Sequence, residues 1–238
     1  MGYQIGRVQQ DLPIDISADK RFLNLYERCR EFSMTSVERM YSLFQAVNYI
    51  LDHDIAGDFV ECGVWKGGSS MMMALALQER NVQDRKIYLY DTFEGMSEPT
   101  ELDKTQGGDK ASALLQIQRI DDEKSIWCYS SLDDVKKNLF STGYPQNKIE
   151  FIKGKVEDTL SGQMPGPLAL LRLDTDWYES TKLELELLYP LLNKSGILII
   201  DDFGHWEGAK KAVVEYFAKS NEAPFLNRID FTGRLMIK

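Results

Sequence analysis

The chain has 238 residues, 43% of them hydrophobic, and a formal net charge of −9. This is long enough for one large domain with a substantial core, and the acidic balance argues against nucleic acid or an anionic membrane surface as partner. The longest apolar runs are of strand length, too short for a membrane span, and the stretch from Met1 to Arg7 lacks the apolar run of a secretory signal.

In chain order, the first 20 or so residues are polar and irregular, as in an arm or partner contact. Phe22 to Phe32 reads as a helix. Thr35-Ser-Val-Glu38 has capping-box spacing, and Val37, Met40, Tyr41, Phe44, Val47 and Leu51 follow at helical spacing. Residues 1–55 are therefore expected as an N-terminal helical arm or lid, and residues 56–238 as a ligand-binding core. Asp58 to Trp65 reads as the first strand, Lys66-Gly-Gly-Ser-Ser70 as a turn, and Met71 to Arg80 as a helix. Lys86 to Asp91 is the second strand, and the polar stretch from Glu94 to Lys110 reads as a mobile loop. A helix over Leu132 to Phe140 and a third strand over Ile149 to Lys153 come next. Two apolar runs then end in acids, Leu168 to Asp174-Thr-Asp176 and Gly196 to Asp201-Asp202, with a helix over Ser180 to Leu192 between them. Glu207 to Lys219 is helical, and Phe225 to Ile237 offers two closing strands around Thr232-Gly233. The alternation predicts an α/β three-layer sandwich with a mostly parallel central sheet.

A strand–helix–strand unit makes the two acid-tipped strands parallel neighbours. Asp174, Asp176, Asp201 and Asp202 then meet at the carboxyl edge of the sheet, where open α/β folds bind ligands. Carboxylates so placed repel one another unless a cation or proton compensates them, which outlines a hard-metal site. The turn Glu61-Cys-Gly63-Val-Trp-Lys-Gly67-Gly68-Ser69-Ser70 is neither a dinucleotide fingerprint nor a P-loop. Its glycines let backbone approach a ligand, and a helix N-terminus follows. Asp91, at the next strand tip, is suited to accept both ribose hydroxyls of a nucleoside cofactor, or else it caps a helix or loop. Glu61 disfavours pyrophosphate and suits a cation, so S-adenosylmethionine, with its sulfonium and amino group, fits. Val156, Glu157 and Asp158 would lie near the adenine, though Asp158 and Thr159 could instead cap a helix. His205 is an alternative base or an ordinary loop histidine, and Trp177 and Trp206 form either an acceptor platform or a packed pair. Cys29, Cys62 and Cys128 show no paired spacing, which fits a reducing cytoplasm.

The segments Met34-Thr-Ser36, Gly57 to Ser69, Tyr90-Asp-Thr-Phe-Glu-Gly-Met96, Val156-Glu-Asp-Thr159, Leu171 to Thr181 and Ile199-Ile-Asp-Asp202 run in an order that resembles the macrocin O-methyltransferase family. Its members are metal- and S-adenosylmethionine-dependent enzymes that methylate sugar hydroxyls of antibiotics. The resemblance implies a Rossmann-like class I methyltransferase core, with Asp174, Asp201 and Asp202 holding magnesium (manganese would accept the same carboxylates) and Asp176 as general base. It implies that Glu61, Gly63, Ser69 and Asp91 hold the cofactor, with Ser131 as a further candidate, and that the chain forms a homodimer. The sequence departs from the family in having Thr175 where a small residue is usual and Phe203 where tyrosine is common. These departures bear on the acceptor pocket, so macrolide specificity is not carried over; the resemblance implies a small-molecule acceptor, a sugar of a glycosylated natural product, with a catechol-type diol or a non-catalytic nucleoside-binding role as alternatives.

Overall fold

Short runs with almost no exposed residue build the middle of the molecule, the signature of parallel strands covered on both faces. In the computed structural model, which describes residues 12–117, 127–220 and 223–238, these are β1 (Asp58–Cys62), β2 (Ile87–Asp91), β3 (Ile149–Lys153), β4 (Leu168–Leu173) and β5 (Leu192–Ile200). Two short strands, β6 (Asn227–Arg228) and β7 (Arg234–Ile237), close the edge, with β7 antiparallel to β5. The order among the described residues is β3-β2-β1-β4-β5-β7-β6. It reverses direction at β1, so the carboxyl ends of β1 and β4 frame the crevice where such sheets bind ligands.

Strand alternation sends successive side chains to opposite faces. Phe59, Leu89, Leu170 and Ile199 pack on one face beneath α2 (Lys20–Cys29), α3 (Val37–Asp52), α4 (Gly68–Glu79) and α6 (Leu132–Phe140). Val60, Tyr90, Leu171 and Ile200 pack on the other, with α7 (Val156–Thr159), α8 (Tyr178–Leu188) and α9 (Glu207–Ser220). This is the expected three-layer sandwich.

The N-terminal helices, including the short α1 (Ile14–Ala18), share the first of these cores: Ile16, Phe22, Leu25, Met40 and Phe44 are buried with sheet residues. The first 11 residues of the expected arm lie outside the described residues. The N-cap of α3 is Ser36, which accepts from Arg39 N–H at 3.1 Å, one position later than the expected capping box. Thr35 instead pairs its hydroxyl with that of Ser33 at 2.7 Å. The stretch 94–110 is not a free loop, and α5 (Ala111–Ile117), which the polar sequence did not announce, follows it. Among the described residues no helix is long and apolar enough to cross a membrane.

Candidate active site

A cavity of about 260 Å³ opens at the carboxyl ends of β1, β2 and β4. Glu61, Gly63, Ser69, Asp91, Val156 and Glu157 line it on one side, and Asp174, Asp176, Asp201 and Asp202 on the other. Phe32, Met34 and Arg39 from the N-terminal segment, Met96 from the loop after β2, and His205 and Trp206 add to the wall.

The β1–α4 turn brings backbone to this space. Gly63 has φ +81°, and a Cβ there would lie 2.0 Å from the Asp174 carbonyl oxygen, so only glycine lets the tips of β1 and β4 approach this closely. Gly67, at φ +91°, caps α4 in the left-handed conformation but does not line the cavity. Asp91 fixes the turn: Oδ2 accepts from Val64 N–H at 2.6 Å and Trp65 N–H at 3.1 Å, and Oδ1 from Phe93 N–H at 2.6 Å. Burial pushes this carboxyl up, and the backbone donors oppose the shift. Asp91 thus holds the turn while facing the cavity.

Ser131 is placed elsewhere. It caps α6, accepting from Asp134 N–H at 3.2 Å, and does not line the cavity. Asp158 is exposed and outside the lining, and neither it nor Thr159 caps α7, whose N-cap is Lys155. Glu157 accepts from the Ser180 hydroxyl at 2.6 Å.

The acidic cluster divides in two. Carboxylate oxygens of Asp174, Asp176 and Asp202 lie within 4.8 Å of one another. Asp201 is turned away from them, paired with Arg172 through Oδ1 at 2.6 Å and with Arg39 through Oδ2. Asp176 sits at φ +69°, a left-handed conformation uncommon outside glycine, directly before α8. Burial raises Asp174 and Asp202 well above the carboxylate range and Asp176 to about 7, with the neighbouring acids adding to the rise. Asp202 Oδ2 is buried without a hydrogen-bond partner. Crowded hard oxygens and an orphaned carboxylate oxygen are what a divalent cation would satisfy, so these residues fit the expected metal.

Arg172 is a functional residue that pattern reading missed. It lies in β4 opposite Glu61 of β1, on the sheet face that carries α3 and α4. Its guanidinium donates to Glu61 at 2.7 Å, Asp174 at 2.6 Å and Asp201 at 2.6 Å, with its side chain 3% exposed. A planar fork with several donors can serve three carboxylates at once. Glu61, expected to face a sulfonium, is therefore already neutralised, and its other oxygen accepts from the Ser70 hydroxyl. Arg39 adds a second guanidinium, 3.0 Å from Asp230. Trp177 and Trp206 are both buried and meet edge to face at 5.0 Å, so they are a packed pair, with Trp206 also reaching the cavity.

Comparison with known proteins gives the family. The family model described as Macrocin-O-methyltransferase (TylF) matches residues 13–238. The chain is 32% identical, over 91% of its length and 79% of the relative's, to 8-demethyl-8-(2,3-dimethoxy-alpha-L-rhamnosyl)-tetracenomycin-C 4'-O-methyltransferase of Streptomyces olivaceus. It is also 32% identical, over 84% of its length and 73% of the relative's, to demethyldecarbamoylnovobiocin O-methyltransferase of Streptomyces niveus. The solved O-methyltransferase NovP superposes with a TM-score of 0.75 at 29% identity, covering 87% of this chain and 82% of that one. The calicheamicin methyltransferase CalS11, with a TM-score of 0.66 at 17% identity over 96% of this chain and 87% of that one, shares the fold. The chain belongs to the macrocin O-methyltransferase family and is an S-adenosylmethionine-dependent O-methyltransferase.

Proposed function

We propose that the enzyme methylates a hydroxyl on the sugar of a glycosylated natural product, with a divalent metal and with Asp176 as general base. The observation that carries this reading is the convergence of Asp174, Asp176 and Asp202 within 4.8 Å on the cofactor cavity. Relatives add support to the acceptor class, since the tetracenomycin enzyme is named for a rhamnosyl substrate.

Asp174 and Asp202 would hold magnesium or manganese, while Asp201, expected as a third ligand, is occupied by Arg172 and Arg39. Such an ion lowers the pKa of a hydroxyl and orients it. The rest falls to the chain's own groups. Glu61, Gly63, Ser69 and Asp91 bind the cofactor, with Val156 and Glu157 on the adenine side. The acceptor oxygen attacks the sulfonium methyl carbon in line, the carbon–sulfur bond breaks, and S-adenosylhomocysteine leaves as a neutral thioether. The acceptor's proton passes to an Asp176 carboxylate oxygen. Trp206, Met34 and Met96 exclude water from that transfer. The family further suggests a homodimer, which sedimentation at several concentrations tests, and the unpaired Cys29, Cys62 and Cys128 suit a cytoplasmic location.

The test is transfer of radiolabelled methyl from S-adenosylmethionine to rhamnosyl glycosides and to catechols, with and without a chelator, in the wild type and in Asp176→Asn. The reading expects glycoside methylation, its loss on chelation, and an Asp176→Asn enzyme that binds cofactor and metal but transfers little methyl. Preference for catechols, or transfer that survives chelation, overturns it. An Asp176→Asn enzyme that no longer binds metal makes Asp176 a ligand instead of the base.

A further inference from the structure

Residues 94–110 have the composition of a mobile loop, yet they are tied down at several points around the acidic cluster. Trp177 Nε1 donates to Ser97 O at 3.0 Å, Gln106 N–H to His205 O at 2.9 Å, and Glu207 N–H to Lys104 O at 2.7 Å. Thr105 forms an antiparallel bridge with Trp206. At the centre is Asp103, a carboxylate 1% exposed. Its Oδ1 accepts from Tyr178 N–H at 2.8 Å, and its Oδ2 accepts from Thr100 N–H at 2.7 Å and the Thr100 hydroxyl at 2.8 Å. Gly208 makes room for it: a Cβ there would lie 2.2 Å from Asp103 Oδ1.

Tyr178 is the first residue of α8, and the N-cap position, Trp177, offers no side-chain cap. Asp103 therefore supplies the missing cap from another part of the chain, and its charge lies at the favourable end of the helix dipole. Immediately before that cap stands Asp176 in its left-handed conformation. Strained backbone of this kind persists only where surrounding contacts over-determine it.

We propose that residues 94–110 form a fixed strap instead of a closing lid, and that Asp103 is the positioning residue through which the strap sets the Asp174–Asp176 turn. Asp103 bonds the amide of Tyr178, two residues beyond Asp176, and its own hydrogen bonds go to Tyr178 and Thr100 and not to the site carboxylates, so its effect passes through the Tyr178 amide. The consequence for metal binding rests on the function proposed above; the consequence for backbone order does not.

The test joins hydrogen exchange with two binding titrations on the full chain. In the wild type without ligands, the amides of Gln106, Ala111 and Tyr178 exchange slowly. In Asp103→Ala, exchange quickens in 94–110 and in 174–181 together. The dissociation constant for S-adenosylhomocysteine stays within about twofold, and Mn²⁺ affinity falls roughly 10–100-fold, the usual effect of losing support behind a ligand. Asp103→Asn, which keeps an acceptor for Tyr178 N–H, recovers most of the Mn²⁺ affinity. Thr100→Val, which removes one donor to Oδ2 and leaves the cap, covers the case in which Asp103→Ala fails to fold, and it loosens both segments to a smaller degree. Fast exchange of 94–110 in the wild type overturns the strap. A folded Asp103→Ala protein that loosens 94–110 while 174–181 exchanges as in the wild type overturns the positioning role. A wild type that binds no Mn²⁺ removes the metal reading and leaves the strap to be judged by exchange alone.

Discussion

Replacing Arg172 by methionine removes a cation that touches Glu61, Asp174 and Asp201 together. Methionine fills much of the same volume, so packing changes little and charge changes most. Deleting one partner of a buried ion pair costs about 3–5 kcal/mol, because the other charge is left uncompensated. Three carboxylates are stranded here, but the losses do not add: the acids can take up protons, and Arg39 still faces Asp201. The expected cost is therefore about 3–5 kcal/mol against the roughly 5–15 kcal/mol that holds a typical domain together. At about 2–4 °C per kcal/mol for a chain of this size, the melting temperature should fall by roughly 6–20 °C. Arg172→Lys should recover only part, since a compact ammonium cannot span three acceptors in fixed directions. Scanning calorimetry reads both variants. A melting temperature for Arg172→Met within about 2 °C of the wild type would refute the idea that this guanidinium holds the site's acids together.

Gly63→Ala forces a Cβ to within 2.0 Å of the Asp174 carbonyl at φ +81°; it should cost several kcal/mol and abolish S-adenosylhomocysteine binding in calorimetry, and wild-type affinity would show that the strand tips need not approach so closely. Glu184 of α8 is fully buried, accepts from the Thr175 hydroxyl at 3.1 Å and leaves Oε1 without a partner. Burial holds it well above its ordinary value of 4.5, so folding takes up a proton between that value and the raised one. Its contribution is complete below that ordinary value and is lost as pH rises toward the folded value. Glu184→Gln keeps an acceptor for Thr175 and has no such loss. Its melting temperature should therefore gain on the wild type as pH rises from 5 to 8, and a difference independent of pH would contradict this.

Much of the scaffold was readable because local pattern and tertiary role agree. The helix over Leu132–Phe140 and the strand over Ile149–Lys153 fall where periodicity puts them, since each is amphipathic or buried in the way its period demands. The α3 cap slipped by one residue because Thr35 and Ser36 can both cap a helix, and the contacts of Ser36 with Asp230 at 2.7 Å and of Thr35 with Ser33 at 2.7 Å favour Ser36. The acidic strand tips were legible as a cluster. Their division was not, because it depends on Arg172, a single charge inside an apolar run, and on Arg39, from a helix distant in sequence. A charged residue in an otherwise fully buried strand is itself a signal, since it must find partners there. Asp103 gave no such signal: its cap on α8 spans 75 residues, and in the sequence it is one acid among many in a polar stretch.

The proposed mechanism turns on a metal centre at this acidic cluster, beside the methyl donor. A crystal structure with S-adenosylhomocysteine and Mn²⁺, collected for anomalous scattering, tests it most directly. A manganese peak is expected bonded to Asp174 and Asp202, with Asp176 free to face the acceptor and the homocysteine sulfur in the cavity bounded by Glu61, Gly63 and Asp91. A cofactor in place with no anomalous peak at the carboxylates would contradict it.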